Sequence, residues 1–143
     1  VTQIRRSALV KYSPAQMYAL VTDVQAYPKR FGWCVDSAVQ DVQGETVTAR
    51  LELKFAGIRQ GFTTRNIGEP PQRMTMQLVE GPFRKLEGVW SFEALGERGC
   101  KVSLVLDFDY AGRLGGMAFK LGFQGLANRM VDDFCTEAAK AYG

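Results

Sequence analysis

Thr46-Val47-Thr48-Ala49-Arg50-Leu51-Glu52-Leu53-Lys54-Phe55 alternates without a break. Val47, Ala49, Leu51, Leu53 and Phe55 fall on one side, and Thr48, Arg50, Glu52 and Lys54 on the other. A two-residue period is that of a strand with one face buried and one wet. The same period returns in Val102, Leu104, Leu106, Phe108 and Tyr110, in Met74, Met76 and Leu78, and in Leu86, Trp90 and Phe92. Ile58 to Ile67 follows it more weakly between Gly57 and Gly68. Turn residues separate these runs: Gln43-Gly44, Ala56-Gly57, Glu69-Pro70-Pro71, Gly81-Pro82 and Gly96 to Gly99. Connections this short predict antiparallel pairing rather than crossovers. Strands near Thr2 to Lys11 and Val35 to Val42 bring the expected number to about seven.

Helices are expected on either side of this meander. Ser13 is suited to cap a helix whose first position is Pro14, with Met17, Leu20 and Val21 on one side. A second, irregular helix is expected from Asp23 to Arg30, because Pro28 falls inside it. The longest helical pattern is Leu114 to Tyr142, whose apolar stripe reads Leu114, Met117, Ala118, Leu121, Ala127, Met130, Val131, Phe134, Ala138 and Ala141. Glycines at 115, 116, 122 and 125 weaken its first half and permit a bend or a close approach. A sheet with so many inward aromatics needs a cover, and the last helix is the element long enough to provide one. The expected architecture is α+β, a helix-grip: one domain over residues 1–143, a curved antiparallel sheet wrapped around a long C-terminal helix, with two short helices after the first strand.

A chain of 143 residues is the size of one domain with a single core. It holds no 20-residue apolar run of the kind that spans a membrane, and Val1 to Lys11 reads as a strand rather than a signal peptide. With no histidine, triads and zinc sites that depend on imidazole are excluded. The cysteines are three, widely spaced and without a CxxC pair, which points away from a disulfide framework or a metal site and toward a reducing compartment. The net charge of +3 permits contact with RNA or anionic lipid without requiring either.

The side chains expected to point inward are large and soft: Phe55, Phe62, Met76, Leu78, Trp90, Phe92, Phe108, Tyr110, Met117, Met130 and Phe134. Each taken singly reads first as core packing. The architecture raises the alternative of an apolar ligand cavity beneath the helix. No catalytic team is evident. Asp107 and Asp109 fall on the outer side of their strand, Asp132 and Asp133 on the polar side of the last helix, and Cys34 has no base beside it. Basic residues come in pairs such as Arg5-Arg6, Lys29-Arg30 and Arg84-Lys85, with Arg113 near Lys120. The turn Gly81-Pro82-Phe83-Arg84-Lys85 stands out, since an exposed phenylalanine beside two cations suits a membrane surface or an RNA backbone.

Three blocks together resemble the bacterial branch of the coenzyme-Q-binding, START-like (polyketide-cyclase-like) family, which also contains a ribosome-association toxin. They are Arg6-Ser7-Ala8-Leu9-Val10 through Tyr12-Ser13, Met17-Tyr18 and Leu20-Val21 to Asp23-Val24-Gln25-Ala26-Tyr27-Pro28; Phe62-Thr63-Thr64-Arg65-Asn66; and Leu78-Val79-Glu80-Gly81-Pro82-Phe83-Arg84-Lys85-Leu86 with Gly88, Trp90, Phe92 and Leu106-Asp107-Phe108. One departure follows Pro28, where Arg30 and Gly32 replace an apolar residue and a proline. The resemblance implies a helix-grip fold with an apolar tunnel, no enzymatic step and no catalytic cofactor. Its first functional implication is binding of ubiquinone or a related polyprenyl quinone, in support of respiration, by a cytoplasmic protein that touches the inner membrane. The tail would lie along Phe55, Met76, Trp90, Phe108 and Met117, with Leu53, Phe62, Leu78, Phe92, Leu106 and Leu121 completing the lining. Tyr27 or Tyr110 would face the head group. Its second implication is binding of the large ribosomal subunit and inhibition of translation, with Phe83, Arg84, Lys85 and Arg113 as the contact surface. A third reading, an aromatic cyclase, requires an acid or base in the cavity; DNA is not an expected partner.

Overall fold

The computed structural model describes residues 2–55, 57–111 and 116–143. Seven strands run in the order expected from the alternation: β1 (Thr2–Val10), β2 (Cys34–Gln43), β3 (Thr46–Phe55), β4 (Ile58–Glu69), β5 (Arg73–Glu80), β6 (Phe83–Leu95) and β7 (Gly99–Tyr110). They form one antiparallel sheet in the spatial order β1-β7-β6-β5-β4-β3-β2. Consecutive strands β2 to β7 are neighbours because short turns allow nothing else, and β1 closes onto β7. Register shifts near Cys34, Val39, Thr63 and Phe83 interrupt the ladders. An extra residue on one strand bends it and increases local twist, which suits a sheet that must curve around a helix.

Three helices complete the fold: α1 (Pro14–Thr22), α2 (Tyr27–Arg30) and α3 (Gly116–Tyr142). Ser13 caps α1 reciprocally: its Oγ accepts from the Gln16 amide at 3.1 Å and its own amide donates to Gln16 Oε1 at 2.9 Å. The expected second helix divides into a 3-10 turn, Val24–Ala26, and the single turn of α2. Pro28 sits in that first turn, where its missing N–H costs no hydrogen bond.

The 27-residue α3 packs against β1, β7, β3 and β4. Its buried face differs from the expected one. Phe119, Phe123, Leu126, Ala127, Val131, Phe134 and Ala138 are buried, whereas Met117 and Leu121 are 68% and 66% exposed. Two apolar stripes compete in the glycine-rich half, and the one carrying Phe119 and Phe123 removes the larger area from water. Gly122 is the position of closest approach: a Cβ there would stand 2.5 Å from the Phe55 ring. The expected start at Leu114 and the surface residue Arg113 lie outside the described residues.

Candidate functional site

The space between sheet and helix is lined by residues from six of the seven strands together with Val24, Tyr27, Trp33 and the α3 residues Phe123, Leu126 and Met130. Leu53, Phe62, Met76, Trp90 and Leu106 line it as expected, and so does Tyr27. The cavity volume is only ≈ 60 Å³. Ligand pockets for organic molecules run to roughly 300–1,000 Å³, so the interior as it stands is a nearly filled core. Trp90 and Phe134 meet edge to face at 5.2 Å in its middle.

The other expected lining residues are placed elsewhere. Phe92 is buried between Trp90, at 6.3 Å, and Tyr18, at 5.9 Å. Phe108 packs on Phe123 at 5.1 Å, and Leu78 is partly buried against the core. Phe55 turns to an outer groove, where Leu121 joins it from the exposed side of α3. Met117 lines neither space, because the helix is rotated toward Phe119.

Neither tyrosine is free to meet a head group. The Tyr27 hydroxyl donates to the Val21 carbonyl, and full burial raises its pKa. Tyr110 donates to the Lys120 carbonyl at 2.9 Å, and burial pushes its pKa up to about 12. The polar groups that do line the cavity are Thr64 and Asn66, which the alternation concealed because both sit in the weakest strand pattern. Thr64 Oγ1 donates to Asn66 Oδ1 at 2.8 Å.

Phe83 also corrects an expectation. It is 5% exposed and sits among Phe62, Phe119, Phe123 and Tyr110 at ring distances of 4.9–6.4 Å. The register pairs it with Tyr110, and the close approach of Gly81 to Phe62 draws the turn inward. Arg84 remains exposed and Lys85 half-buried opposite Asp109. The turn therefore presents cations without an apolar anchor.

No acid–base pair forms inside. Among the described residues the buried polar side chains are Thr63, Thr64 and Asn66. Asp107 accepts from Gln3 at 2.8 Å on the outer face. Cys34 donates to the Asp36 carbonyl at 3.3 Å, and burial raises its thiol pKa to about 11, leaving no nucleophile at neutral pH. Asp133 departs from its expected solvated role: it accepts from Trp33 Nε1 at 3.2 Å and pairs with Arg129 at 3.6 Å.

A seven-stranded antiparallel sheet closed by one long helix over an apolar interior defines a helix-grip domain of the START type. The structure superposes on a START superfamily protein from Mycobacterium smegmatis with a TM-score of 0.79 at 19% identity, covering 97% of this chain and 98% of the other. Residues 10–135 match the family described as polyketide cyclase / dehydrase and lipid transport, and the chain belongs to that family, in the branch of the RatA and Coq10 proteins. It is 43% identical over 142 residues to the ribosome association toxin RatA of Pseudomonas aeruginosa, covering 99% of each chain. It is 26% identical over 139 residues to the mitochondrial coenzyme Q-binding protein coq10 of Schizosaccharomyces pombe, covering 94% of this chain and 85% of that one.

Proposed function

We propose that this protein is a non-catalytic, cytoplasmic inhibitor of translation that binds the large ribosomal subunit and blocks subunit association. The observation that carries the reading is 43% identity across 99% of both chains with a ribosome association toxin, against 26% with a quinone-binding protein. The residues alone ranked these two readings the other way, on the strength of an apolar tunnel. With a cavity of ≈ 60 Å³, support for a resident quinone is weaker and action through the outer surface is favoured. The exposed cations of the β5–β6 turn, Arg84 and Lys85, suit the phosphate backbone of RNA. The test is reassociation of purified 30S and 50S subunits on sucrose gradients, where wild-type protein lowers the 70S peak and the double reversal Arg84→Glu, Lys85→Glu restores it. Wild-type protein that leaves the peak unchanged would overturn the reading.

A second reading keeps a hydrophobic ligand, quinone included, and rests on the coq10 similarity and the apolar lining with its Thr64–Asn66 pair. It requires the interior to open. Lipid extraction of protein purified without detergent from a quinone-producing host tests it; stoichiometric quinone supports it, and an empty extract counts against it.

A further inference from the structure

Two spaces meet at one side chain. The nearly filled interior, ≈ 60 Å³, and a much larger open groove of ≈ 960 Å³ beside α3 share a single lining residue, Trp33. Trp33 is held by a stacked contact with Phe31, at 4.7 Å and 15°, and by its hydrogen bond to Asp133. The turn that carries it includes Gly32, where a Cβ would meet nothing within 4 Å, so the backbone there has room to move. The walls of the groove combine an apolar stretch, Phe55 and Leu121, with three cations, Arg30, Lys54 and Arg129. Arg30 Nη1 is buried without a hydrogen bond; its carboxylate neighbour, Asp23, stands at 3.5 Å. The carboxylates of the groove are already engaged, Asp133 by Trp33 and Arg129, and Glu137 by Lys140 at 2.9 Å.

We propose that this groove is the docking site for a single-chain anionic amphiphile, a long-chain carboxylate, and that Trp33 is the gate between it and the interior. The carboxylate meets Arg30 and Arg129, and the chain lies on Phe55 and Leu121. Displacement of the indole joins groove and cavity, giving the tail a path that the closed interior lacks. Charge complementarity selects this occupant: an uncharged hydrocarbon leaves Arg30 unpartnered, and a nucleic acid leaves Leu121, 66% exposed, uncovered. This site is independent of the ribosome reading.

The test uses cis-parinarate, a fluorescent long-chain carboxylate, and its methyl ester, with folding checked by circular dichroism. The double variant Arg30→Gln, Arg129→Gln should weaken the acid about tenfold, as loss of charge-assisted contacts does, and leave the ester unchanged. Trp33→Phe keeps a ring but drops the bond to Asp133, and should speed uptake about tenfold. If that variant does not fold, Asp133→Ala releases the same bond from the other side. No binding by wild-type protein, equal losses for acid and ester, or unchanged uptake in the released variant would each overturn the proposal.

Discussion

Trp90 shows how a single side chain in this fold is constrained by what it touches. It is 1% exposed and packs on Phe92 and Phe134. Trp90→Ala should cost about 3–5 kcal/mol, as large-to-small core changes of this size do, and thermal unfolding reads it as a large drop in Tm. Cys34 supplies a pH-dependent counterpart. Burial raises its thiol to about 11 from the model value of 9.0, so the folded state holds a proton that the unfolded chain releases. Its contribution to stability is complete below about pH 9 and is lost as pH rises toward 11. Tyr110, raised to about 12, acts in the same direction at higher pH. Melting temperatures should therefore fall through this alkaline window, and Cys34→Ala should flatten the first part of the fall. At this scale, residues that alternate were legible from sequence, including Leu53, Trp90 and Leu106 in the lining. Trp33, Thr64 and Asn66 were not, because a gate or a buried polar pair has no period; each depends on contacts made by distant segments.

Among the elements, α3 decides what is inside and what is left out. Its contact with β3 relies on Gly122 lying against Phe55, with 2.5 Å to a built Cβ. Gly122→Leu should force the helix off the sheet at that point and lower Tm by more than the gain in helix propensity returns, whereas Gly125→Ala, whose built Cβ lies 3.7 Å from Arg129 Nη1 alone, should be neutral or stabilising. The strands and their order were readable because each has a half-buried face and short turns. The phase of α3 was not, since Leu114, Met117 and Leu121 form one stripe and Phe119, Phe123 and Leu126 another, both at helical spacing. Only the aromatic residues waiting on β4, β6 and β7 choose between them: Phe62, Phe83 and Phe108 lie 6.4, 4.9 and 5.1 Å from the Phe123 ring. The same choice exposes Met117 and Leu121 and so builds the apolar wall of the outer groove. Phe83 followed the same logic, since the cluster that captured Phe123 also draws it in and leaves Arg84 and Lys85 outside.

For the molecule as a whole, the fold and the function part company. A helix-grip domain can house a ligand, but this interior is filled to within ≈ 60 Å³, and the family to which the chain belongs spans lipid transport and cyclisation. Filling what remains with Leu106→Phe should therefore leave ribosome-directed activity intact while blocking any use of the interior by a ligand. The measurement that tests the central claim most directly is the 70S fraction formed from purified 30S and 50S subunits in the presence of wild-type and Leu106→Phe protein, read on sucrose gradients. The account predicts that both lower the 70S peak equally and that both co-sediment with 50S. An unchanged 70S peak with the wild-type protein left at the top of the gradient would contradict it, as would a Leu106→Phe protein that is folded but inactive.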